Sequence, residues 1–397
     1  MATVPAPVIL AGARTPIGKL SGSLAPLRAV DLGGVAIAEA LRRAGVAGEE
    51  IDTVIFGHVL QAGLGQGTAR QAAHEAGIPM HVPAMTVDKV CLSGLQAVHL
   101  AALTIAAGEA DLVVAGGMES MTGAPHLVPG ARAGFRFGSG ALLDAVQVDG
   151  LQCAFDEVAM GEASDRYAAE EGVRRDRQDA LAARSHALAA SATERGRLAE
   201  EIVGTSVPQR RGEPVVVRED EGIRGDTTAE ALARLRPAFS RDGSITAGNA
   251  SQLSDGAAAL VVASRRAAER LGIRPLAEIA GYGQVAGPDA SLLTQPSRAI
   301  RAALDRAGVA VSSLDLVEIN EAFAAVVVAS IDDLGVPEDL VNRNGGAIAL
   351  GHPLGMSGAR LALTLATELA QGGGALGVAA LCGGGGQGDA LLLRSVV

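Results

Sequence analysis

A chain of 397 residues, 48% hydrophobic and 19% charged, is longer than one hydrophobic core sustains, so two or three packed units are expected. Its formal charge of −11, with no Lys/Arg run, excludes delocalised binding to nucleic acid or to an anionic membrane, and an anionic ligand must find a local positive site. The 52 glycines, the many Ala and Val residues and the 2% aromatic content favour close helix-on-sheet packing, an α/β fold, over a β-sandwich.

From Val8 the chain reads as a short apolar strand, a turn at Arg14-Thr15-Pro16, and a helix over about 31–44 that Asp31 caps. A strand at 53–56 and a helix at 69–76 follow. Residues 91–107 form an apolar, Ala-rich helix stopped by Gly108, and 111–115 a buried strand entering Gly116-Gly117, which is β-α-β punctuation. Between about 120 and 246 the character changes to a Gly/Arg-rich stretch, 130–140, and a charged helical block, 163–199, read as an inserted lid or loop domain. Strand and helix resume over 255–268, and 273–275 marks a boundary. The second half resembles the first: Ser93-Gly94, a helix and a strand into Gly116-Gly117 match Ser357-Gly358, a helix and strand 376–381 into Cys382-Gly383-Gly384. That duplication predicts two α/β halves, 1–120 plus 247–271 and 272–397, around an insert at 121–246. The starts of the two matched helices should face each other across a pseudo-twofold.

Three cysteines, Cys91, Cys153 and Cys382, lie far apart without a C-x-x-C pair, which predicts no metal site, no disulfide framework and a reducing compartment. Residues 1–7 lack the basic start and apolar core of a signal peptide, and no apolar run is long enough to span a bilayer. A soluble, cytoplasmic protein without membrane or nucleic-acid partners is the expectation.

Cys91 stands at the expected N-terminus of a helix, where unpaired N–H groups and the macrodipole should depress a thiol pKa; it reads equally as a small buried hydrophobe. Cys382 ends an apolar strand before a glycine run, either a tight turn or a row of N–H groups facing an oxyanion. His352, in Gly-His-Pro-Leu-Gly, is either a bonded loop histidine or a ring placed by a rigid turn. Asn320, after strand 316–319, either caps a helix or lines a site. The glycine clusters at 63–67 and 383–386 match neither a P-loop nor a dinucleotide fingerprint.

Six motifs nevertheless stand in one order: Val90-Cys91-Leu92-Ser93-Gly94, Gly116-Gly117-Met118-Glu119-Ser120-Met121, Gly248-Asn249-Ala250-Ser251, Asn320-Glu321-Ala322-Phe323, Gly345 to Pro353 around His352, and Cys382-Gly383-Gly384. In them the chain resembles the thiolase family from Val8 to its end, most like the short-chain members that act on acetoacetyl-CoA. The resemblance implies the thiolase-like duplicated α-β-α-β-α layered fold with an inserted loop domain. It also implies a mechanism in which Cys91 is the acylated nucleophile, His352 takes its proton, and Cys382 is the second acid/base. Two oxyanion holes follow from the family: His352 with a water held by Asn320, and the backbone N–H groups of Cys91 and Gly384.

By the same resemblance CoA contacts fall on Leu151, Met160, Arg224, Phe239, Ala250, Ser251 and Phe323, with Arg224 the cation for phosphate or adenine. No cofactor beyond the CoA and acyl-CoA substrates is implied. The stretch 122–142, with Phe135 and Phe137, corresponds to a tetramer-forming loop, so a homotetramer is expected. This chain departs from the family in Asp88, where Asn is common, in Ala159, where short-chain members often have His, in Gln252, where Gly is common, and in a short 291–296 segment. Acetyl-CoA C-acetyltransferase is the leading reading, and a 3-ketoacyl-CoA thiolase of fatty-acid β-oxidation with broader chain length is the alternative. A ketoacyl synthase conflicts with Asn320-Glu321 and Cys382, and a silent scaffold with the presence of all four polar residues.

Overall fold

The computed structural model describes residues 7–396; residues 1–6, read above for a leader, and the end of the last half at 397 lie outside the described residues. Strands β1 Pro7–Arg14, β2 Gly18–Lys19, β3 Thr53–Gly57, β4 Ala84–Val87 and β5 Leu112–Ser120 enclose helices α1 Ala29–Ala44, α2 Thr68–Glu75 and α3 Ser93–Ala106. Next come two small hairpins, β6 His126–Leu127 with β7 Leu143–Asp144 and β8 Thr205–Val207 with β9 Val215–Val217, and helices α4 Met160–Glu170, α5 Arg175–Glu194 and α6 Ala229–Leu232. The chain then runs β10 Ser254–Ser264, α7 Arg265–Leu271, β11 Ala277–Ala286, α8 Gln295–Ala307, β12 Leu316–Ile319, α9 Ala324–Leu334, α10 Ala347–Leu350, α11 Leu354–Ala370, β13 Leu376–Gly383 and β14 Gln387–Ser395.

The large sheet has the order β12-β13-β14-β11-β1-β10-β5-β3-β4, with β2 beside β10. Outward from the β1–β11 seam, both sides show the same pairing: β1-β10-β5-β3 and β11-β14-β13-β12 are each antiparallel, antiparallel, then parallel. Among the described residues only two register pairs, Val8↔Glu278 and Ile9↔Ala277, close the seam, so the halves are held together chiefly by what lies between them. Strand alternation sorts that packing. Val113 and Ala115 of β5 and Ala379 and Leu381 of β13 share one buried cluster with α3 and α11. Leu112 and Val114 instead face α1 and α2, and Val378 and Ala380 face α8 and α9. The layers are therefore α-β-α-β-α, with α3 and α11 in the middle.

Those two helices meet backbone to backbone. A Cβ on Gly94 would stand 2.6 Å from the Gly355 carbonyl oxygen, one on Gly117 only 1.8 Å from it, and one on Gly358 2.3 Å from the Leu95 nitrogen. Larger residues would force the helix starts apart.

Several local expectations change. Helix α3 begins at Ser93, two residues after Cys91, because Val90 takes a left-handed φ of 51°. Helix α1 starts before Asp31, whose carboxylate sits inside the first turn and accepts the Arg28 N–H at 2.9 Å. The charged block is two helices, α4 and α5, broken at left-handed Gly172. Strand β1 runs through Arg14, where a turn was expected, because its buried guanidinium pairs with Asp220 at 2.7 Å and Glu201 at 3.1 Å.

Candidate active site

One cavity opens at the N-terminal ends of α3 and α11. Its wall carries Cys91, His352, Cys382 and Gly384, together with Leu151, Met160, Phe239, Ala250, Ser251 and Phe323. Two expected residues lie off it. Asn320 is fully buried behind His352. Arg224 is exposed, its backbone N–H 3.2 Å from His186 Nδ1 and its guanidinium 3.1 Å from Nε2. Among the described residues no group of three or more His, Cys, Asp or Glu could hold a metal ion.

Cys91 lies in a turn fixed on all sides. The Val90 N–H donates to Asp88 Oδ1 at 3.0 Å, the Lys89 N–H to Ser93 Oγ at 2.8 Å, and the Ser93 hydroxyl to the Val90 carbonyl at 2.6 Å. A β-branched residue at positive φ costs of order 1–3 kcal/mol, and these bonds hold it there. The N–H groups of Cys91 and Gly384 both face the Cys91 sulfur. They favour an anion, yet burial dominates and pushes the thiol up to about 12, which corrects the lowered pKa expected from a helix start. Burial, with Cys91 nearby, likewise raises the Cys382 thiol well above its ordinary range. Desolvation of a thiolate outweighs two N–H dipoles while the pocket wall is this apolar.

His352 follows α10 and precedes α11. Its Nδ1 lies 2.6 Å from Ser357 Oγ, and that hydroxyl is 2.8 Å from the Pro353 carbonyl. The carbonyl can only accept, so the hydroxyl donates to it and must accept from the ring. The imidazole therefore carries its hydrogen on Nδ1 and leaves Nε2 bare. Asn320 Nδ2 lies 3.3 Å from Nε2 and 3.5 Å from Nδ1, so the Ser357 contact and not Asn320 selects the tautomer. Burial and then Arg360 push the ring down to about 3. The resting site thus pairs a neutral thiol with a neutral imidazole. Asn320 Oδ1, buried without a protein partner, suits the water expected there.

The rest of the frame ties the two halves and the insert together. Ser251 donates its N–H to the Ala322 carbonyl at 3.0 Å, joining the Asn249-Ala250-Ser251 and Asn320-Glu321-Ala322-Phe323 loops. Phe239 and Phe323 meet edge to face, their centroids 6.2 Å apart. Gln252, one of the departures, bonds the carbonyls of Gly222 at 3.2 Å and Ile348 at 3.1 Å, and its own carbonyl accepts the His352 N–H at 3.2 Å. Buried Glu119 accepts the N–H groups of Val59, Leu60 and Gly355 at 3.2, 3.0 and 3.0 Å. It thereby anchors the first turn of α11.

Sequence reasoning gave no role to Met121, Gln147, Gln152, Leu253, Leu292 and Leu354 on the wall. Met121 and Leu354 lie inside motifs quoted above and Leu292 in the short segment; Gln147, Gln152 and Leu253 gave no local signal. Cys153, for which no role was found, is buried in the cluster that holds Met160 and Cys382.

Residues 7–266 match the family model for the thiolase N-terminal domain and residues 273–395 that for the thiolase C-terminal domain. A probable acetyl-CoA acetyltransferase of Mycolicibacterium smegmatis is 54% identical over 98% of this chain and 100% of its own. An acetyl-CoA acetyltransferase of Pseudomonas aeruginosa is 49% identical over 97% and 98%. The crystal structure of the Bacillus anthracis acetyl-CoA acetyltransferase superposes with a TM-score of 0.96 at 40% identity, covering 99% of each chain.

Proposed function

From a chain that belongs to the thiolase family, we propose acetyl-CoA C-acetyltransferase activity: reversible condensation of two acetyl-CoA to acetoacetyl-CoA and CoA through an acyl-cysteine. The observation that carries it is the joint presence of Cys91, Cys382, Gly384 and a His352 with bare Nε2 on one apolar wall. The names of the relatives point to the same substrates.

In the cleavage direction Nε2 of His352 takes the Cys91 proton as sulfur attacks the 3-oxo carbon. The backbone N–H groups of Cys91 and Gly384 then face the oxyanion of the tetrahedral adduct, and the new His352 N–H, with the water beside Asn320, faces the enolate oxygen that develops next. The C2–C3 bond breaks, and the acetyl-CoA enolate takes its proton from Cys382, leaving an acetyl group on Cys91. An incoming CoA thiol gives its proton to the Cys382 thiolate and attacks the acetyl-cysteine, and the departing Cys91 thiolate recovers its proton from His352. Each lost oxyanion donor would cost about 2.7–4 kcal/mol. Coupling attack to proton transfer removes the need for a standing thiolate, which this cavity opposes.

The same reading assigns no cofactor. It takes Arg224 as the cation for CoA phosphate or adenine; among the described residues only Nη2 of its exposed guanidinium is engaged, by His186. It keeps the division into an insert at 121–246 between two halves, supported by the repeated strand order. Exposed Phe135, Phe137 and Leu142 support a homotetramer built through the insert loop. Among the described residues no helix is long and apolar enough to cross a membrane, and the free cysteines favour a cytoplasmic place. A role in fatty-acid metabolism rests on the substrate class alone.

The test is thiolysis of acetoacetyl-CoA and of longer 3-oxoacyl-CoA by wild type and Cys91→Ser. Cleavage that falls with chain length and vanishes in the variant is expected. Preference for long chains would shift the assignment to β-oxidation, and no cleavage of any chain would refute the enzymatic reading.

A further inference from the structure

Beside the cavity, but off its wall, lies a charge pair that the mechanism does not use. Lys89 Nζ sits 2.8 Å from both carboxylate oxygens of Asp389 and 3.2 Å from Gln96 Oε1, which also accepts the Tyr282 hydroxyl at 3.1 Å. Asp389 is fully buried and the Lys89 side chain is 14% exposed. Alternation along β14 puts Asp389 on the face of Leu391 and Leu393, toward α3. An acid on that apolar face needs a partner.

What the pair connects gives it meaning. Lys89 is two residues before Cys91, in the turn where Val90 is held at φ 51°. Asp389 pairs in register with Leu381, while its neighbour Gly388 pairs with Cys382. The ion pair thus bridges the turn that carries one cysteine to the hairpin that carries the other. The two N–H groups facing the Cys91 sulfur come one from each side, Cys91 from the turn and Gly384 from the hairpin. No shared backbone segment fixes their separation.

We infer that Lys89 and Asp389 are positioning residues that set the width of this two-donor oxyanion site by clamping the turn to the hairpin. The inference rests on the thiolase reading above. An oxyanion held by two donors is sensitive to both distances, and deleting one donor in comparable sites costs roughly 10²–10³ in kcat. Loosening the clamp displaces a donor without deleting it, so a smaller loss is expected, confined to steps that develop charge. Ground-state binding of the CoA arm uses other residues and should persist.

A single substitution strands a buried charge and threatens folding, so the pair is replaced together. Lys89→Met with Asp389→Leu fills the site with apolar groups, and Lys89→Gln with Asp389→Asn keeps its shape without charge. In both folded double variants kcat for acetoacetyl-CoA thiolysis should fall fivefold or more with KM within twofold of wild type. At one fixed pH, alkylation of Cys91 by iodoacetamide should also slow fivefold or more, because the same donors steady the thiolate that forms in that step. A smaller loss of kcat in whichever double variant folds, with an unchanged alkylation rate, overturns the clamp and leaves the pair purely structural. Wild type inert toward every 3-oxoacyl-CoA would instead refute the thiolase reading, and the alkylation rate would still test the clamp.

Discussion

Replacing Ser357 with alanine removes the one acceptor that keeps the His352 hydrogen on Nδ1. The ring is 5% exposed, so an unpaired Nδ1–H there costs about 1–3 kcal/mol. The ring escapes that cost by moving its hydrogen to Nε2, the nitrogen that the proposed mechanism needs bare to receive the Cys91 proton. Productive tautomer then becomes the minority by the same energy, and kcat should fall about 5- to 150-fold, at 1.36 kcal/mol per factor of ten. Ser357 is not on the cavity wall, so KM for acetoacetyl-CoA should stay within about twofold, the limit expected when no binding contact changes. Steady-state thiolysis on the purified variant, with far-UV circular dichroism to confirm folding, reads both quantities. Ser357→Thr retains a hydroxyl and should lie nearer wild type. A folded Ser357→Ala enzyme with unchanged kcat would show that the serine does not select the tautomer.

His352 has a folded pKa of about 3 against an ordinary 6.5, so the unfolded chain binds the extra proton between those values. Its contribution to stability is complete above pH 6.5 and is lost as pH falls toward 3, at up to about 1.4 kcal/mol per unit; urea midpoints of His352→Asn should decline less steeply over that window than those of wild type. Gly117→Ala, on β5, sets a Cβ 1.8 Å from the Gly355 oxygen of α11, backbone against backbone, and should cost more than about 4 kcal/mol or prevent folding; a soluble variant with wild-type thermal midpoint would contradict the close approach of β5 to α11. Glu119→Gln retains one acceptor oxygen for three N–H groups and should lower stability by roughly 1–3 kcal/mol, measured by urea unfolding, with His352 less firmly placed.

The layered fold was legible because duplication, glycine punctuation and apolar strands repeat along the chain. Cys91, His352 and Cys382 were each ambiguous by local pattern and became candidates only through the ordered motifs that resemble the thiolase family; the structure brings them to one cavity wall. Ser357 was visible only as half of a repeat, because its task depends on a ring five positions away and on the Pro353 carbonyl. Lys89 and Asp389, 300 residues apart, show no mutual signal in one sequence. Helix propensity suggested that Cys91 opens α3, but the Asp88 and Ser93 side chains overrule it by bonding the turn. The acidity expected of Cys91 failed because a helix start says nothing of how dry the surrounding pocket is.

The glycine crossing of α3 and α11 also bears on motion. Where backbone rests on backbone there is no side chain to change rotamer and no slack to take up, so one helix cannot slide without carrying the other. Cys91 and His352 ride on the starts of these helices and must travel as one rigid piece. In hydrogen exchange the amides of α3 and α11 should be among the last of the described residues to open.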